Sequence, residues 1–333
     1  MSDDAYARAG VDQGAADRAV ERLVAALAAA RLDRPTRQVP LPGHYASVIR
    51  IDDSTGIALS TDGVGTKLLV AEEVGRFDTI GIDCVAMNVN DVICVGAEPL
   101  AMLDYLAVER ADEDLCEQIG RGLARGAELA QVEIPGGELA QLGGLVSGFD
   151  IAGACFGIVL LAEIVDGSAV EPGDAVIGLP SSGLHSNGYT LARRALEGIS
   201  LDDARLGRPL GEILLEPTEI YVGAVLDLLR SEVDVRGLAH ITSGGLGNLL
   251  RLRADVGYEI DDPLPPQPVF GLIQELAAVP GEEMREVFNM GCGFCCLVAD
   301  RDAEAALTLL RGHYPDARRI GSARAGKREV RTP

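Results

Sequence analysis

The spacing of apolar and polar positions divides the chain into two runs of strands and helices, parted near residue 170. In the first run, Val20, Leu23, Val24 and Leu27 recur at helical intervals and predict an amphipathic helix over residues 14–31. Residues 46–51 and 56–60 read as strands. Residues 79–95 are apolar nearly all round, the mark of a helix buried on every side. A strand is expected over 100–108, a helix over 113–130 and a long buried strand over 151–161. Gly167 to Gly173, with Pro172, marks a change of unit, and the pattern then restarts. Strands are expected at 175–179, 238–242 and 293–299, with helices at 189–197, 218–231, 246–252, 270–278 and 303–311. Strands and helices alternating in both halves predict an α/β protein with mixed sheets and two domains, 1–167 and 168–333.

Polar residues interrupt this pattern at informative places. On the helix at 79–95, Asp83, Met87, Asn90 and Cys94 share one face, with Asp91 about 80° round from Asp83. A carboxylate buried in such a helix must be paired or bind a cation. Asp83 as a helix cap and Asn90 in an internal hydrogen bond are the structural alternatives. Asp62, Asp104, Glu138 and Asp150 stand at the edges of other apolar segments. Acids so placed suit a magnesium ion shared with substrate phosphates.

Lys67 is one of only two lysines in 333 residues, and it follows the loop Ser60-Thr61-Asp62-Gly63-Val64-Gly65-Thr66. Glycines there let the backbone approach a ligand, and a compact ammonium suits a phosphate. A solvated lysine after a tight turn is the plainer alternative. The second half offers Ser181-Ser182-Gly183-Leu184-His185-Ser186-Asn187-Gly188 before a predicted helix, an arrangement suited to anions. His240-Ile241-Thr242-Ser243-Gly244-Gly245 repeats the theme. Each of the two histidines has a capping or packing alternative. Cys292-Gly293-Phe294-Cys295 spells CxxC within a predicted strand, where residues three apart face opposite ways. The two thiols are therefore expected not to pair, and to pack as small apolar groups.

Charge narrows the function. A formal net charge of −22 disfavours nucleic acid and anionic membranes as partners. The acidic start Met1-Ser2-Asp3-Asp4 carries no signal-peptide pattern, and the apolar run 151–162 is too short to span a bilayer. A cytoplasmic protein is expected. No GxxxxGK[ST] loop, no GxGxxG after a strand and no zinc-spaced Cys/His cluster is present.

Taken in order, several segments resemble the aminoimidazole ribonucleotide synthetase family, the phosphoribosylformylglycinamidine cyclo-ligases. They are residues 5–12 (Ala-Tyr-Ala-Arg-Ala-Gly-Val-Asp), STDGVGTK, TIGIDCVAMNVNDVICVGAEPLAMLDYLAV, DIAGACFGIV, PSSGLHSNGYTLARR, EPTEIYV, LAHITSGGL and FNMGCGF. The resemblance implies ATP and Mg2+ as cofactors and formylglycinamidine ribonucleotide as substrate. It also implies a homodimer in which the N-terminal sheets form a barrel, each beside a layered C-terminal α/β domain. By the same resemblance, Asp62, Asp91 and Glu138 hold the metal, and Lys67 contacts nucleotide phosphate. Gly63, Gly65, Thr66, Asn90, Asp104, Ser186, Asn187, Thr242, Gly244 and Gly245 complete the nucleotide and substrate loops, and His240 or His185 moves a proton. Two segments depart from the family pattern. Residues 41–47 lack its Gly-Gly-Phe-Gly-like loop, and residues 139–143 lack a threonine and a second carboxylate. A relative acting as a kinase on another acceptor, like thiamine-monophosphate kinase, is the alternative.

Overall fold

The computed structural model describes residues 13–30 and 32–333. The family-like segment at 5–12 lies outside them. In chain order the first half contains α1 (Gln13–Ala28), β1 (Gln38–Val39), β2 (Ser47–Arg50), β3 (Thr55–Gly63), α2 (Leu68–Val74), α3 (Ile80–Ile93), β4 (Glu98–Val108), α4 (Glu113–Ala130), β5 (Glu133–Gln141) and β6 (Phe149–Leu160). Its six-stranded sheet runs β1-β2-β3-β6-β4-β5. Only β4 and β5 pair in parallel, and α4 makes the crossover between them.

Helix α3 supplies the core of this half. It packs on β3, β6 and β4 with one side and on α4 with another, so an almost wholly apolar sequence finds cover. Glycines let the two helices touch. A Cβ at Gly81 would stand 2.2 Å from the Leu123 backbone nitrogen, and one at Gly122 would stand 2.4 Å from the Asp78 carbonyl. The other face of the sheet is different. Strand register aligns Ile49, Ile57 and Ile158, and outward positions include Leu103, Tyr105 and Leu160. Of these, Ile49, Leu103, Tyr105, Ile158 and Leu160 are exposed. Helix α1 forms where its periodicity predicts, but Val20, Leu23, Val24 and Leu27 are also exposed.

The second half contains β7 (Ala175–Pro180), α5 (Tyr189–Ala195), α6 (Leu210–Leu214), α7 (Val222–Leu229), β8 (Val235–His240), β9 (Gly257–Ile260), α8 (Pro268–Ala277), α9 (Gly281–Val287), β10 (Cys292–Val298), α10 (Ala303–His313), β11 (Arg318–Arg324) and β12 (Val330–Arg331). Its sheet runs β12-β9-β11-β7-β10-β8, mostly antiparallel, with β12 parallel to β9. Strand β10 is buried at every position and reads as an unbroken apolar run. The whole is a mixed α/β protein with two sheets. No helix among the described residues is long and apolar enough to cross a membrane.

One expectation about β10 is corrected. The Cys292 and Cys295 sulfurs lie 3.6 Å apart, both buried. The register against β7 advances by one residue from Pro180 to Leu179 while β10 advances by two, from Cys292 to Phe294. That bulge turns the two thiols to the same side, which an unbroken strand would not do. Both remain free thiols. The hydrogen bond with Cys292, then burial, push the Cys295 thiol well above its usual range.

Candidate active site

The polar face of α3 is the seam between the two halves. Lys67, in a turn of 3-10 helix at Gly65–Lys67, is fully buried and its ammonium lies 2.8 Å from an Asp83 carboxylate oxygen. It also donates to the Glu216 carbonyl at 2.7 Å. Asp83 accepts from the Thr218 amide and hydroxyl, both at 2.7 Å, and from the Ser186 hydroxyl at 3.2 Å. Two sequence anomalies thus account for each other: the rare lysine is the partner of the buried aspartate. Burial pulls the lysine pKa down, and the Asp83 charge opposes that shift. The structure therefore turns this ammonium inward, whereas the family resemblance places it on a phosphate.

About two turns along α3 from Asp83, Asn90 donates to the Glu219 carbonyl at 2.8 Å and accepts from the Tyr221 amide at 3.0 Å. These contacts hold residues 216–221 in an irregular path. Helix α7 consequently starts at Val222 rather than at the expected residue 218. Asp91 is the next polar residue of α3. Its carboxylate lies 2.9 Å from His240 Nδ1, and the imidazole is fully buried. An Nδ1–H donated to the carboxylate leaves the Nε2 lone pair free, and among the described residues no group bonds to Nε2.

His185 is arranged otherwise. Its Nε2 accepts from the Ser182 amide at 3.2 Å, which places its proton on Nδ1. Burial holds its pKa well below the usual histidine range, with the nearby His240 and Lys67 adding to the effect. Its backbone is left-handed, at φ 62°. The loop around it is turned largely inward: Ser181, Gly183, Leu184 and His185 are all buried. The carboxamide oxygen of Asn187 accepts from the Ser243 hydroxyl at 3.1 Å, which joins this loop to the one after β8.

The acids sort into two places. Strand register sets Asp62, Gly153, Asp104 and Gly137 in one row across β3, β6, β4 and β5. Asp62 backs onto α3, its amide donating to Asn88 Oδ1 at 3.0 Å. Burial first, and the Asp91 charge second, raise the Asp62 carboxyl pKa. Burial also raises that of Asp104. Glu138 stands apart, exposed on β5 and paired in register with Tyr105. Among the described residues no group of three or more His, Cys, Asp or Glu is arranged to hold a metal ion. The expected Asp62–Asp91–Glu138 set is therefore not assembled within one chain. Asp62 and Asp91 are near enough for the charge of one to act on the other.

The remaining expected residues line the same junction. Gly65, at φ 71°, makes the left-handed step after β3 that a side chain would strain. The Thr66 hydroxyl meets that of Thr190 at 3.3 Å across the halves. Thr242, Gly244 and Gly245 form a loop in which both glycines have positive φ. Sequence reasoning missed Thr218, Tyr221, Tyr45 and Asn248, which hold these parts together. Asn248 does so from the 3-10 helix Gly245–Arg251. Their only signal is a polar group at a position later found buried, and one sequence does not reveal burial there.

This two-sheet architecture, with a polar helix face joining the halves, defines a class. The AIR synthase related protein N-terminal domain matches residues 43–159, and the corresponding C-terminal domain matches residues 171–332. The chain belongs to the AIR synthase family. A phosphoribosylformylglycinamidine cyclo-ligase of Methanothermobacter thermautotrophicus is 53% identical over 274 residues, 80% of each chain. The protein of that name from Thermococcus kodakarensis is 49% identical over 316 residues, 93% of this chain and 92% of that one. Among solved structures, a HypE–HypF complex aligns with a TM-score of 0.66 at 23% identity, covering 87% of this chain and 90% of that one. A ThiL complexed with AMPPCP and TMP aligns at 0.65 with 18% identity, covering 88% of each chain. These two establish a common fold.

Proposed function

We propose that the chain uses ATP to close the imidazole ring of formylglycinamidine ribonucleotide, giving 5-aminoimidazole ribonucleotide, ADP and phosphate. The observation that carries this reading is the 49% identity, over 93% of the chain, to a protein named for that activity. The formamide oxygen attacks the γ-phosphorus of ATP, and ADP departs. The amidine nitrogen then adds to the phosphorylated carbon, the C–O bond breaks to release phosphate, and one proton is lost. Ring closure within one molecule has a high effective molarity, so the protein's main tasks are positioning and proton removal. His240 suits the second task, because Asp91 fixes its Nδ1 and leaves Nε2 as the acceptor. His185, whose Nε2 is already engaged, suits a neutral hydrogen-bonding role.

Asp62 and Asp91 are the residues that would hold magnesium together with the nucleotide. When bound, the ion supplies charge neutralisation at the phosphate oxygens. Asp104, in the same register row as Asp62 with Gly153 between them, and the loops at 63–66, 186–187 and 242–245 are assigned to nucleotide and substrate. Lys67 acts from beneath, by fixing Asp83 and residue 216, instead of by direct contact. The exposed apolar face of the first sheet supports a homodimer in which two such sheets close a barrel. In that assembly Glu138 would come from an outer strand. We place the domain boundary at 167/168 and the protein in the cytoplasm.

The test is ADP release in the presence of magnesium and formylglycinamidine ribonucleotide, with the imidazole product followed directly. Substrate-dependent ADP formation with stoichiometric imidazole is expected. Transfer of the γ-phosphate to a stable acceptor, with no imidazole, would replace this reading with that of a kinase, the alternative raised by the altered segment at 139–143.

A further inference from the structure

The loop after β8 is pinned from α9, the Gly244 amide donating to the Glu286 carbonyl at 2.8 Å. It contains two glycines with positive φ, and the 3-10 helix Gly245–Arg251 follows at once. Its side-chain clamp is Asn248, which is buried. Its Oδ1 accepts from the Thr242 amide at 2.8 Å and the Thr242 hydroxyl at 3.0 Å, and its Nδ2 donates to the Ser243 carbonyl at 2.9 Å. The fit is close. A Cβ at Gly244 would stand 2.8 Å from Asn248 Nδ2. Asn248 is itself gripped from the other half of the molecule. The Tyr45 hydroxyl donates to the Asn248 carbonyl at 3.1 Å, and the Arg251 guanidinium lies 4.7 Å from the Tyr45 ring centroid. A period of three residues in a 3-10 helix stacks Asn248 above Arg251, so one short helix offers both contacts. Tyr45 belongs to segment 41–47, where this chain departs from the family's glycine-rich pattern.

We propose that Asn248 is a positioning residue that holds Thr242 and Ser243 in their ligand-binding shape, and that Tyr45 locks Asn248 in place across the halves. The role in ligand binding rests on the reading of this loop given above. The loop's order does not depend on that reading. Ser243 in turn reaches Asn187, so the clamp sets the spacing of two loops.

Asn248→Ala removes all three side-chain bonds. Asn248→Asp keeps the acceptor for Thr242 but sets an oxygen against the Ser243 carbonyl. Tyr45→Phe removes only the hydroxyl. Two readouts decide the matter in the full-length protein. Amide hydrogen exchange over residues 241–249 is expected to quicken at least about tenfold in both Asn248 variants, and less in Tyr45→Phe, with exchange in β7 and β10 unchanged. Calorimetric titration with magnesium and a non-hydrolysable ATP analogue, alongside kinetics, is expected to show a Kd or KM raised about tenfold with a smaller change in kcat. Unchanged exchange in the loop overturns the proposal whatever the enzyme does. A loosened loop with unaltered nucleotide and substrate constants overturns its link to the site. If wild-type protein makes no imidazole, that result counts against the proposed reaction, and the exchange data still judge Asn248. Should the alanine variant fail to fold, Tyr45→Phe and Asn248→Asp carry the same comparison.

Discussion

Along α3 the molecule buries charge, whereas on the outer face of the first sheet it leaves Ile49, Leu103, Tyr105, Ile158 and Leu160 in solvent. The two regions lie on opposite sides of one sheet and invert the usual rule of apolar inside and polar outside. The buried charges are all partnered: Lys67 with Asp83, and Asp91 with His240. The exposed apolar side chains are left uncovered by the described residues. The difference separates a polar seam satisfied within the chain from an apolar face on which the proposed assembly rests.

The comparison is broken most severely at its charged end. Lys67→Ala leaves Asp83 buried without its counter-charge, and a loss of about 3–5 kcal/mol is expected in denaturant unfolding. Lys67→Met combined with Asp83→Leu should recover most of that loss, because the cost lies in the orphaned charge. Asp91→Asn keeps the shape but weakens the hold on His240. A fall in kcat of about a hundredfold is expected from proton transfer alone, with melting temperature little changed. On the other side of the sheet, Tyr105→Glu should halve the mass measured by light scattering while each monomer stays folded. A variant that remained a dimer would remove the apolar face from the argument for assembly.

The smallest expected effect concerns pH. Burial, its largest cause, lowers the His44 pKa to about 4, and the charges around the ring are Asp166, Arg251, Asp91 and Arg253. Below the ordinary histidine value the unfolded chain takes up a proton that the native imidazole refuses. Stability should therefore fall as pH drops from about 6.5 towards 4, with His185 acting in the same direction. His44→Phe should flatten part of that slope in thermal melts at successive pH values.

Much of this was legible in the sequence. The apolar circumference of residues 80–93 identified a buried helix, and the alternation in β3, β4 and β6 identified a sheet. The oddity of Lys67 and that of Asp83 were each visible, yet their pairing was not. The two are brought together by a turn and a helix start whose relative placement only the packed fold sets. Strands β5, β9 and β11 escaped notice, because glycine, proline and charged residues mask their alternation. The two cysteines are buried and unpaired as expected, but their facing was misjudged for a similar reason. A bulge adds one residue to a strand, and period-two reasoning has no term for that. The metal set was carried over from the family resemblance, and the described residues of one chain do not gather Asp62, Asp91 and Glu138 into one cluster.

Helix α3 carries one more implication. With Asp83, Asn90 and Asp91 all fastened to the opposite half, the two halves are riveted along a whole helix. On the proposed reading, ligands are then admitted without the body swinging ajar. Heating should melt the entire chain in a single endotherm, because neither half can let go without tearing buried ions from their mates.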